Sequence, residues 1–104
     1  MSETKISGLF EWDPEKNAIN AIKHGIRFEE ATMAFFDPTG LTFQDKSHHD
    51  QEQRWFYYGR VSGRVVTIRF TLREGRTRIF GAGYWRKGAK IYEKNQTKQV
   101  QRWL

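Results

Sequence analysis

Five arginines, Arg54, Arg69, Arg73, Arg76 and Arg78, sit at spacings that let their guanidinium groups share one surface. A guanidinium stays charged at any ordinary pH and grips phosphate or carboxylate oxygens with two parallel N–H donors. The chemistry such a surface suits is the holding of a polyanion. Phe56, Tyr58 and Phe80 lie among them and offer rings on which a planar group can stack. Like charges gathered on one face repel, and a sheet that tolerates them invites an anionic ligand.

Strands must position these residues. In Arg64 to Arg73 the even positions Val66, Ile68, Phe70 and Leu72 are apolar, while Thr67, Arg69, Thr71 and Arg73 alternate with them. That is the period-two mark of a half-buried strand. With Glu74-Gly75 as a two-residue hairpin turn, Arg73 faces Arg76, Thr71 faces Arg78 and Arg69 faces Phe80, so the arginines fall together. Glutamate is an unusual residue for the left-handed backbone of such a turn. Arg54 to Val61 reads as the preceding strand. With Ser62-Gly63 as its turn, Tyr57 pairs with Ile68 and Trp55 with Phe70 on the apolar face, and Arg54, Phe56 and Tyr58 join the basic face.

Upstream, Leu9 to Trp12 is an apolar-acidic run suited to an edge strand. Asp13-Pro14-Glu15 is a helix start, with an N-cap, a first-turn proline and a carboxylate near the positive end of the dipole. Ala18, Ile19 and Ile22 give that helix an inward stripe, and Gly25 ends it. A second helix is expected from about Phe28 to Phe36, closed by Asp37-Pro38. Leu41 to Gln44 forms a further strand. Trp85, Ala89 and Tyr92 then have helical spacing, interrupted by Gly88, with Lys87, Lys90, Lys94 and Lys98 alongside, and the tail ends in Val100, Trp103 and Leu104. The expected fold class is α+β: two N-terminal helices packed on an antiparallel sheet, with a C-terminal helix, as a single domain over residues 1–104.

Charge is segregated along the chain. Residues 1–52 hold five Lys/Arg against ten Asp/Glu and residues 53–104 hold thirteen against two, so −5 and +11 make up the net +6. The basic half points to a polyanion or nucleic-acid surface. There are no cysteines, which excludes a disulfide frame and a thiolate metal site. His48-His49 beside Asp50 looks like a metal cluster only on paper, because adjacent side chains rarely converge on one ion. No metal or other cofactor is expected. Without an apolar run near the ~20 residues of a membrane span, the chain reads as a soluble cytoplasmic protein with no membrane partner.

The chain resembles the BrnT family of bacterial type II toxins. The resemblance rests on FEWDPEKNAINAIKHGIRFEEA from Phe10 to Ala31, on Glu52 and Arg54, on TLREGRTRI from Thr71 to Ile79, and on KIYEKN from Lys90 to Asn95. It implies a RelE-like fold, metal-independent cleavage of RNA, and neutralisation by a BrnA-like ribbon-helix-helix antitoxin whose complex binds operator DNA. One departure matters. Where the family continues its last strand as Arg-Ile-Ile-Ser-Ala-Arg, this chain reads Arg78, Ile79, Phe80, Gly81, Ala82, Gly83, so a serine and an arginine are missing.

Metal-free cleavage of RNA needs a base for the proton of the 2′-hydroxyl, an acid for the leaving oxygen, and cations for the charge that develops on the phosphate. Arg54, Arg73 and Arg78 are the candidate phosphate clamp, with Arg69 and Arg76 as supporting charge and Arg86 or Lys87 as a replacement for the missing arginine. Glu52 is the candidate base, with His48 or His49 as alternatives; Glu52 could equally pair with Arg54 on the same side of a strand. Tyr92 or a lysine such as Lys90 is the candidate acid and RNA contact. Phe56, Tyr58 and Phe80 either stack bases or are covered by the C-terminal helix as a second small core. His24 reads as a helix-end residue favoured by the dipole.

Overall fold

The computed structural model describes residues 3–47 and 52–103, the side chains of 99–103 excepted. His48, His49 and Asp50 lie outside the described residues, as do Leu104 and the side chains of Val100 and Trp103. The strands are β1 (Lys5–Ser7), β2 (Phe10–Trp12), β3 (Leu41–Gln44), β4 (Trp55–Val61), β5 (Arg64–Arg73) and β6 (Arg76–Gly83). The helices are α1 (Pro14–His24), α2 (Phe28–Ala31) and α3 (Arg86–Trp103), and a 3₁₀ helix, Thr32–Phe36, follows α2. The expected second helix is therefore a single α-turn that tightens into 3₁₀ geometry.

The strand order is β1-β2-β6-β5-β4-β3. Both hairpin turns expected from the sequence are present, with Val61 facing Arg64 and Arg73 facing Arg76. All four turn residues have positive φ, including Ser62 and Glu74 at 50°, so each turn twists with its strands. The sheet is α+β in class but mixed rather than antiparallel, because β2 runs parallel to β6 with Glu11 opposite Arg78. Nor is β2 an edge: β1 pairs on its outer side.

A second departure lies in β6. Phe70 faces Ile79 and Arg69 faces Gly81, so Phe80 is the extra residue of a bulge and not the partner of Arg69. The bulge keeps Ile79 and Ala82 both on the core side, at 1% and 0% exposure, although they are three positions apart. Strict alternation would have turned one of them out.

The main core joins Val66, Ile68, Phe70, Tyr57, Ile79 and Ala82 of the sheet to Trp12, Ile26, Phe28, Ala31 and Ala34. Helix α1 meets this core with amides, not with the expected stripe. Asn17 and Asn20 are buried, whereas Ile19 is 50% and Ile22 85% exposed. The reason is backbone that lacks partners. Asn17 Oδ1 accepts from the Phe28 amide at 2.7 Å, and Asn20 Nδ2 donates to the carbonyls of Ile26 and Ala82, each at 2.9 Å. An amide carries both donor and acceptor, which isoleucine cannot supply to buried peptide groups.

Helix α3 covers the opposite face of the sheet. Tyr58, Val65 and Tyr92 form a second core there, with Leu41, Phe56, Ala89 and Ile91 packed against it. Gly88 permits this crossing: a Cβ at that position would stand 2.0 Å from Thr67 Oγ1 and 2.9 Å from the Tyr58 ring. Tyr92 fixes the far end of the contact by donating to Asp37 Oδ2 at 2.6 Å. Burial opposes the Asp37 charge, but hydrogen bonds from Tyr92, the Arg60 amide and Thr39 outweigh it and hold the carboxyl at about 2. Among the described residues no helix is long and apolar enough to cross a membrane.

Candidate active site

The α3-side face of the sheet carries the polar rows. Phe56, Arg69 and Gly81 face one another across β4, β5 and β6. In the next row Thr71 faces Arg78, which faces Glu11. The register of β4, extended by one residue, places Arg54 opposite Thr71, whose hydroxyl donates to the neighbouring Gln53 carbonyl. Two arginines therefore share one row, with a threonine between them and a carboxylate at its end. Neighbouring strands lie about 4.8 Å apart, so the backbones of Arg54 and Arg78 stand roughly two strand spacings from each other.

Each arginine has a distinct setting. Arg54 lays its guanidinium over the Phe80 ring, 4.9 Å from the centroid, and its buried Nε has no hydrogen-bond partner among the described residues. Arg78 Nη1 donates to Glu11 Oε2 at 2.6 Å, with side chains only 16% and 9% exposed. Arg73 Nη2 donates to Glu52 Oε1 at 2.6 Å in a more open pair. Glu52 is thus paired with Arg73, across the hairpin end, and not with Arg54. Arg76 lies opposite Arg73 at the turn.

The remaining sequence candidates separate. Tyr92 is 2% exposed and committed to Asp37, so it is not placed as a solvent-facing acid. Lys90 is exposed on α3. Phe56 and Tyr58 stack with planes 4° apart and lie within the second core, Tyr58 at 6% exposure. Phe80 is the ring left outside that core.

Beside these rows, at the start of α3, is a hollow of about 560 Å³ lined by Asp45, Phe56, Tyr58, Thr67, Arg69 and Lys87, among others. Burial and the Asp45 carboxylate both raise the Tyr58 phenol above its usual range, which keeps it a neutral proton donor. The buried Thr67 hydroxyl has no hydrogen-bond partner among the described residues. Arg69, Lys87 and the positive end of the α3 dipole thus meet a largely apolar recess that also holds the Asp45 carboxylate.

Lys87, one of the two residues expected to replace the missing arginine, does line the hollow, whereas Glu11 and Asp45 were not read from the sequence as part of one site with the arginines. For Glu11 the available signal was a carboxylate flanked by Phe10 and Trp12 in a strand, since a buried charge calls for a partner. The two departures from the family pattern differ in space. At Gly81 a Cβ would meet only Asn20 Oδ1, at 3.9 Å, whereas at Gly83 it would come within 2.8 Å of the Trp85 indole. The tryptophan ring stands where a larger side chain would otherwise begin.

No curated protein sequence matches the chain. The family model described as ribonuclease toxin, BrnT, of type II toxin-antitoxin system matches residues 12–88, from the end of β2 to the first turn of α3. That span includes Glu52 and all five arginines of the basic face, and it is most of the molecule. The chain belongs to the BrnT family of ribonuclease toxins of type II toxin-antitoxin systems.

Proposed function

We propose that this chain is a metal-independent endoribonuclease that inhibits translation in the cytoplasm, with a RelE-like arrangement of sheet and helices. The observation that carries the reading is the row Arg54–Thr71–Arg78 beside Arg69, a register that puts three arginines on one sheet face next to a recess. In the proposed reaction the 2′-hydroxyl attacks the adjacent phosphorus and its proton passes to Glu52. The 5′-oxygen then leaves with a proton from a neutral donor, giving a 2′,3′-cyclic phosphate and a 5′-hydroxyl end. Arg54, Arg73 and Arg78 take up the charge that develops on the phosphate oxygens. Arg69 and Arg76 add attraction for the rest of the strand, and Phe80 offers a stacking face.

In this reading the partner is a BrnA-like ribbon-helix-helix antitoxin, acidic enough to cover the basic face, and the complex binds operator DNA through the antitoxin. A second reading is favoured by Gly81 and Gly83: with Trp85 set against Gly83, the chain is a weakened nuclease retained to bind RNA or its antitoxin. Induced expression of the wild type and of Arg73→Ala in a bacterial host separates the two. Growth arrest with RNA decay in the wild type alone supports the nuclease. Normal growth and intact RNA, with soluble wild-type protein present, select the binding module.

A further inference from the structure

A second hollow, of about 200 Å³, opens between α1 and β6. Its walls carry Lys16, Lys23 and His24 from α1 and Arg69, Phe80 and Trp85 from the other side, and among the described residues no carboxylate lines it. Lys16 Nζ stands 5.8 Å from the Phe80 centroid, on a ring that Arg54 also covers. The His24 ring meets the Trp85 indole edge-on at 5.1 Å. Asn20 lines this hollow too, but its amide is spent on backbone partners, so it fixes the spacing of the two walls. Gly81 keeps the floor open, because a Cβ there would have only Asn20 Oδ1 within 4 Å among the described residues, at 3.9 Å.

We propose that this hollow binds one nucleotide of single-stranded RNA adjacent to the scissile phosphate, a deepening that rests on the nuclease reading above. Arg69 and Trp85 line both hollows, so a strand leaving the candidate active site crosses these two side chains and enters the second hollow. A flexible chain carrying alternating anions and planar bases matches walls of alternating cations and rings. The base rests against Trp85, and the flanking phosphates lie toward Lys16 and Lys23. The glycine at position 81 then has a use: it leaves room for the nucleotide where the family pattern has serine.

The test is binding of a fluorescent 2′-O-methyl oligoribonucleotide, which lacks the attacking hydroxyl, to the full chain over a range of salt concentrations. Lys16 and Lys23 are exposed on α1, so Lys16→Ala/Lys23→Ala removes two charges and, beyond the Lys16–Phe80 contact, no core packing. It is expected to weaken binding and to make the log–log salt slope shallower by about 1.4, ~0.7 for each phosphate contact removed. Trp85→Ala is expected to weaken binding about tenfold, and Trp85→Phe to restore most of it, because stacking needs a ring rather than that particular ring. An unchanged slope and affinity in the lysine double variant overturn the proposal. So does a Trp85→Phe variant as weak as Trp85→Ala, and so does a wild type that fails to bind. Cleavage of unmodified RNA by the wild type, measured alongside, shows separately whether the nuclease reading stands.

Discussion

Asn20 acts toward Ala82 as a neighbouring strand would. Its Nδ2 donates to the Ala82 carbonyl at 2.9 Å, and its Oδ1 accepts from the Ala82 amide at 3.2 Å. The pairing of β2 with β6 reaches only Phe10–Thr77 and Glu11–Arg78, so beyond that point β6 has an open edge. One side-chain amide closes it. Asn20→Ala leaves a buried donor and buried acceptors unpaired and is expected to cost about 2–4 kcal/mol. Urea unfolding checks this, and Asn20→Leu should do no better, because the deficit is in hydrogen bonding rather than in apolar volume.

Glu11→Gln is expected to destabilise the fold by roughly 3 kcal/mol, since removing one partner of a largely buried ion pair strands the other charge. The double variant Glu11→Gln/Arg78→Met should recover much of the loss. Equal stability of wild type and Glu11→Gln in thermal unfolding would contradict the burial of this pair.

Stability should fall with acid through Asp37. Its carboxyl is held at about 2 in the folded protein against an ordinary 3.8, so the unfolded chain binds more protons between those values. The contribution is complete above pH ~4 and disappears as pH drops through about 2. Tyr92→Phe removes one of the hydrogen bonds responsible. It should cost about 1–2 kcal/mol at neutral pH and flatten the stability profile over that window, as measured by denaturant unfolding across the acid range.

Glu74→Asn should stabilise by about 0.5–1 kcal/mol without changing RNA cleavage. Glu74 holds φ at 50° in the β5–β6 turn, where asparagine is accommodated more readily than glutamate. A higher unfolding temperature is the expected readout.

Restoring the family pattern should succeed at one glycine and fail at the other. Gly81→Ser has open space before it, while any side chain at Gly83 must displace the Trp85 ring. Circular dichroism and thermal melts should show Gly81→Ser unchanged in fold and Gly83→Ala destabilised by about 1–3 kcal/mol.

The hairpins were legible because apolar alternation and glycine-containing turns are local signals, and β4–β5 pairs as its pattern requires. The expected neighbour of Arg69 was wrong because a bulge adds a residue without altering composition, and Phe80 is apolar on either account. The inward face of α1 was misread because periodicity weighs apolar side chains, whereas that face answers to unpaired backbone at Phe28 and Ala82. The arginine settings were legible only in part. Glu52 and Glu11 were visible as charges, but which arginine each one meets depends on strand order.

The pairing of Glu11 with Arg78 also sets a time order. A ribosome makes the glutamate well before the arginine, so the row containing Arg54, Thr71 and Arg78 cannot close until β6 has been made. A nascent or truncated chain ending before β6 carries basic strands but no assembled row. The cell producing this protein is therefore exposed to the finished surface only after the last hairpin has met the first strands.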